Sequence, residues 1–225
     1  MSMPFYVPPE QMMKDRADFA RKGIARGRAL AALQYAGGIV MVAENPSTSL
    51  RKISEIYDRI AFAGVGKFNE FDQLRVAGVR FADLKGYQFS RADVDARSLA
   101  NQYAQVISHS FSHEVKPLEV EILVAEVGRT EGSDQLFHIM YDGTVIDESM
   151  FAAIGGDADA ITGRVKERYQ PGASLSEAVR CAVGALETSE RQISHGELEI
   201  AVLQRTGERR CFRRIDPAQT ATYLS

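Results

Sequence analysis

Residues 29–35 and 39–43 are short runs in which almost every position is apolar, and Gly37-Gly38 separates them. Strand formers fill both runs, and glycine supplies the positive φ that a tight turn demands, so the pattern predicts a buried hairpin. Ile53, Ile56, Ile60 and Phe62 continue as strand material up to Gly64-Val65-Gly66. Beyond that point Phe68, Phe71, Leu74 and Phe81 return at helical spacing, which predicts a second hairpin followed by a long helix.

Ahead of the first hairpin the sequence predicts a helix over about residues 10–23. Pro9 suits its first turn, Glu10 the positive end of its dipole, and Arg21, Lys22 and Gly23 its other end. Met12, Met13, Phe19 and Ala20 supply one apolar side. Pro4, Pro8 and Pro9 exclude a regular helix before it, so residues 1–9 read as an extended or disordered tail. Downstream, Ser90 to Asp93 resembles a capping box, and Leu99, Tyr103, Val106, Ile107 and Phe111 mark one helical face that Lys116-Pro117 ends. Residues 119–127 read as a strand, and residues 136–141 and 144–146 pair through the turn signal Asp142-Gly143. Residues 150–154 add another strand. Asp157 opens a helix carrying Ile161, Val165 and Tyr169, and Ser174 with Glu177 caps one carrying Val179, Val183 and Leu186. Residues 198–203 and 211–215 close the series as strands. Strict alternation of strand and helix is missing, so a doubly wound sheet is excluded. Two antiparallel sheets between helical layers satisfy the order.

Composition changes this picture little. With 225 residues, 45% of them hydrophobic, and no polar linker, one domain over residues 10–225 is expected behind the tail. A net charge of −3 gives no reason to expect nucleic acid. The two cysteines, Cys181 and Cys211, form no CxxC, which disfavours a disulfide framework and fits a reducing cytoplasm. No secretory signal and no apolar run near the ~20 residues of a membrane span is evident, so a soluble chain away from membranes is expected.

Several patterns invite chemistry and fail on their context. Gly66-Lys67 suggests a phosphate loop, but Ala61 stands where the first glycine belongs and Phe68 replaces the magnesium-binding hydroxyl. His109 and His113 are one helical turn apart without a third ligand, so neither a metal nor any other cofactor is expected. Ser54, Thr144 and Ser194 lie in no nucleophile elbow beside His138 or His195. Arg209, Arg210, Arg213 and Arg214 form a basic cluster that reads as a strand face or a subunit contact.

Four blocks carry a resemblance: residues 21–26 (RKGIAR), 43–47 (AENPS), 52–59 (KISEIYDR) and 66–71 (GKFNEF). Together with the element order they make the chain similar to the proteasome subunit family, and within it to the actinobacterial α class. The resemblance covers roughly residues 8–215. It implies an α+β fold, the four-layer αββα sandwich of N-terminal-nucleophile hydrolases, with an extra N-terminal helix.

In the catalytic β subunits of that family an N-terminal threonine is the nucleophile and its own amine the base. Alignment on the glycine pair puts Arg28 at that position, behind a helix and a tail. The resemblance therefore implies a noncatalytic subunit, with Glu44 and Lys52 left from the residues that support the threonine. For the α class it assigns Lys52 to a pocket that receives the C-terminal carboxylate of an activator tail. Gly27 matches the pocket glycine, and Lys67 occupies an expected apolar position and would make the pocket more basic. The tail, Met1, Ser2, Met3, Pro4, Phe5, Tyr6, Val7, Pro8 and Pro9, takes the place of a pore gate. The implied partners are six further copies in a seven-membered α ring, the β subunits, and a hexameric ATPase unfoldase that docks its C-terminal tails. Tagged protein substrates would be met indirectly. The competing reading is a self-contained hydrolase of the same fold with its nucleophile elsewhere.

Overall fold

The computed structural model describes residues 8–188 and 191–224. The order is α1 (Pro9–Ala25), β1 (Leu30–Tyr35), β2 (Gly38–Glu44), β3 (Ile53–Tyr57), β4 (Ile60–Gly66), α2 (Phe68–Gln88) and α3 (Ala96–His113). It continues with β5 (Val120–Glu126), β6 (Gln135–Ile139), β7 (Val145–Glu148), β8 (Phe151–Ile154), α4 (Ala158–Arg168), α5 (Leu175–Leu186), β9 (Leu198–Gln204), β10 (Phe212–Ile215) and α6 (Pro217–Leu224). One antiparallel sheet runs β10-β9-β2-β1-β8 and the other β3-β4-β5-β6-β7.

The apolar runs of β1 and β2 are continuous because both faces are covered. Leu30, Ala32, Ile39 and Met41 point into the core between the sheets. Their neighbours Ala31, Leu33, Val40 and Val42 point the other way, into a layer built with Val165 of α4 and Val179 of α5. On the far side of the second sheet, Phe62, Val124 and Phe137 pack with Leu74 of α2 and Leu99 and Tyr103 of α3. Four layers result, in the order helix, sheet, sheet, helix. Helix α1 belongs to neither outer layer: its Ala20 and Ile24 enter the inter-sheet core itself. It closes one end of the sandwich.

Both hairpins of the sequence reading are present, with registers Leu30↔Ala43 and Ile53↔Ala63. Of the glycine pair only Gly38 has positive φ, +140°. Three expectations need correction. Helix α1 runs two residues past Gly23, and Met12, Met13 and Phe19 are exposed, because the face that meets the core is the one through Ala20 and Ile24. Ser90 caps only a single 3-10 turn, Arg91–Asp93; Asp95 caps α3 by accepting from Ser98 N at 2.8 Å, and Val106 faces outward. Tyr169 lies just beyond α4, and helix α6 had no forerunner in the pattern.

Candidate functional site

The Gly27-Arg28 linker between α1 and β1 gathers most of the singled-out residues. Gly27 N donates to Ile24 O at 2.8 Å and closes the helix. A Cβ on Gly27 would stand 3.0 Å from that oxygen and 3.1 Å from Gly66 N, so the linker lies against the end of β4 and glycine permits the approach. The next residue, Lys67, is the N-cap of α2. Gly66 itself has φ +99°, and a side chain there would collide with the Glu119 carbonyl.

Arg28 stands where the resemblance places a nucleophile, and its two ends are both engaged. Its guanidinium donates to Glu44, whose buried carboxylate also pairs with Arg191. Its backbone carbonyl accepts from Lys52 Nζ at 2.5 Å. Arg28 thus touches both of the positions aligned to the nucleophile's supports, but the group at the centre is a cation held by a carboxylate. No hydrogen bond joins Ser54, Thr144 or Ser194 to a histidine among the described residues; Ser194 Oγ is held by Glu197 at 2.8 Å.

Lys52 is positioned through its backbone as well. Its carbonyl accepts from Gly64 N at 3.0 Å, and its N–H donates to Glu199 Oε2 at 2.9 Å. Burial pushes the Lys52 ammonium down to about 8; the carboxylate of Glu199 opposes that shift and the guanidinium of Arg28 adds to it. Such an amine is charged at neutral pH and short of anionic partners. A carboxylate arriving at it would complete the pairing.

Lys67 is different. Its ammonium is 3.9 Å from Glu70 and 3.8 Å from Glu119, the same two carboxylates that Lys116 binds at 2.7 and 2.9 Å. Two lysines face two glutamates, so Lys67 does not make the surroundings basic as the sequence suggested. Gly27, Lys52 and Lys67, expected to line a pocket, lie around one linker, and the tail positions from Met1 to Val7 lie outside the described residues.

Two participants escaped the sequence reading. Arg191 completes the pair on Glu44, and Glu199 is a hub: it accepts from Asn45 Nδ2 at 2.7 Å, from the N–H groups of Lys52 and Ile53, and from Arg214 at 2.5 Å. The available signal was a lone carboxylate inside the apolar run of β9, a position that demands partners.

A family model described as "Proteasome subunit" matches residues 24–203. The chain belongs to the proteasome subunit family. Among the relatives of this family member is "Proteasome subunit alpha" of Acidimicrobium ferrooxidans, 62% identical over 216 residues, covering 96% of this chain and 93% of the relative. The protein of the same description in Kineococcus radiotolerans is 57% identical over 234 residues and covers 100% and 99%. That of a Nocardioides species is 58% identical over 229 residues and covers 100% and 90%. The chain therefore groups with the α subunits of the proteasome family. Among its described residues no helix is long and apolar enough to cross a membrane, and no group of His, Cys, Asp and Glu is arranged to hold a metal ion.

Proposed function

We propose that this chain is the noncatalytic α-ring subunit of a bacterial proteasome, working in the cytoplasm as scaffold, admission gate and docking surface. Seven copies form the ring that caps the proteolytic β rings, and hydrolysis belongs to β. The observation that supports this most is the environment of Arg28. The position that would carry a nucleophile is a guanidinium bound to a buried carboxylate, preceded by a helix that closes the end of the sandwich. No free α-amino group and hydroxyl can meet there.

The docking role falls to Lys52. Its partly desolvated ammonium at the Gly27-Arg28 linker suits a tail carboxylate from a hexameric ATPase, Gly27 leaves room for the tail backbone, and Lys67 stands at the rim. The gate falls to residues 1–9, ahead of the domain at 10–225. Seven tails close the pore, and a docked activator opens it by binding the open arrangement more tightly. Tagged substrates are read by the ATPase.

The test is activator-dependent protein degradation by assembled particles carrying Lys52→Ala. Stimulation should be lost while hydrolysis of a short peptide by the β subunits persists; undiminished stimulation would remove Lys52 from the reading. Deleting residues 1–9 should speed admission of unfolded peptides. Turnover of fluorogenic peptides by the purified chain without β would sink the noncatalytic role itself.

A further inference from the structure

The two flanks of the sandwich carry opposite charge. Arg214 of β10 donates to the Ile53 carbonyl of β3, and β7 and β8 line one cavity, so β10 and β3 share one flank and β8 and β7 the other. On the first flank, residues 205–214 hold five arginines against the single acid Glu208. Three of the five are paired within the chain, Arg205 with Asp134, Arg210 with Glu55 and Arg214 with Glu199. Arg209 stays 72% exposed with Asp58 no nearer than 3.7 Å. Arg213, on the edge strand β10, and Arg51, just before the edge strand β3, are exposed and make no ion pair among the described residues.

Towards the other flank, residues 142–163 hold five Asp or Glu and no Lys or Arg. A cavity of about 620 Å³ opens there, between β7, β8 and the start of α4, with Glu121, Glu148, Asp157 and Asp159 in its lining against Arg21. Its acids are poorly neutralised. Among the described residues Glu148 pairs only with His138, at 3.9 Å, and Asp159 makes no ion pair.

We propose that the basic β3/β10 flank of one copy docks on the acidic β7/β8 flank of the next, an exposed arginine of β10 or of the turn before it entering the acidic cavity. This rests on the ring reading above and says which surfaces make the ring. A closed ring needs a heterologous contact, in which two different patches of the same chain fit each other. Opposite flanks satisfy that requirement and also reject the wrong pairing, because two basic or two acidic flanks repel. The contact is made by side chains and not by joining sheets: the edge strands are only four or five residues long, and β3, β7 and β10 carry charge, which disfavours strand pairing between copies.

Charge reversal tests this in the full chain produced with its β partners, read by native mass measurement and sedimentation. Arg209→Glu with Arg213→Glu leaves Lys52 and its neighbour Arg51 untouched; Glu148→Lys with Asp159→Lys reverses the other flank. Each pair should lower the assembled fraction by about tenfold or more at low salt. The chain carrying all four changes presents complementary flanks with the signs exchanged, and should assemble again, which also excludes misfolding as the cause. If either pair leaves assembly intact, or the fourfold variant stays apart, the flank contact is overturned while the ring reading stands. If the unaltered chain forms no ring with or without β, both are overturned.

Discussion

Two charged clusters meet at the Gly27-Arg28 linker, and the same residue types behave differently in each. In one, the carboxylates of Glu44 and Glu199 are buried, with side chains 5% and 1% exposed. In the other, Lys67 and Lys116 stand 56% and 42% exposed over Glu70 and Glu119. Removing a partner from the first leaves charge in a medium that cannot solvate it; removing one from the second lets water take its place. The buried cluster can therefore hold Arg28 and Lys52 in position, and the exposed one can exchange a partner for a ligand.

The contrast is tested most severely at Glu199. Glu199→Leu strips the acceptor from Arg214 and from two buried N–H groups, and unfolding in urea should show a loss of about 3–5 kcal/mol. A loss under about 1 kcal/mol would erase the distinction between the clusters. Glu44→Ala should lose less, about 1–2 kcal/mol, because Arg28 and Arg191 are half exposed and can turn to water. Equal losses at the two positions would show that exposure of the partner is irrelevant.

Lys52 sharpens the comparison through pH. Its charged form is the one that receives a carboxylate, so binding of an activator-tail peptide to the assembled ring should fall about tenfold between pH 7 and pH 9, as the ammonium at about 8 loses its proton. Lys52→Arg should remove that fall, since a guanidinium keeps its charge across the range. Stability responds with the opposite sign. Between about 8 and the ordinary lysine value the unfolded chain binds the extra proton, so this group makes the fold more stable as pH rises through that window and less so below it. Flat binding from pH 7 to 9 would place the carboxylate elsewhere. The smallest effect belongs to the exposed cluster: Lys67→Ala should change stability by less than about 0.5 kcal/mol in the same urea experiment.

Much of this was legible in the chain. Runs buried on both faces show as continuous apolar segments, and the turn glycines and helix caps mark their ends, so β1 to β4 and α5 could be placed with little error. Residues whose surroundings are assembled from distant segments could not be read. Met12 and Phe19 look like a core face until the sandwich end chooses Ala20 and Ile24 instead. Asp95 lacks the capping-box spacing that drew attention to Ser90, although it is the cap of α3. Lys67 looks like an added charge until Glu70 and Glu119 are seen across from it.

The sequence by itself determined the layered αββα order, the family, and the presence of arginine where a nucleophile would stand, because these depend on local periodicity and on residue identity at aligned positions. It also carried the imbalance between an arginine-rich segment near 210 and an acidic one from 142 to 163. Only the tertiary structure decided that Glu199, nearly 150 residues away, holds Lys52, that Glu44 is shared by Arg28 and Arg191, and that the exposed arginines near β10 and the acids of β7 and the start of α4 lie on opposite flanks. Charge acts through distance and desolvation, and both are set when remote strands are brought side by side.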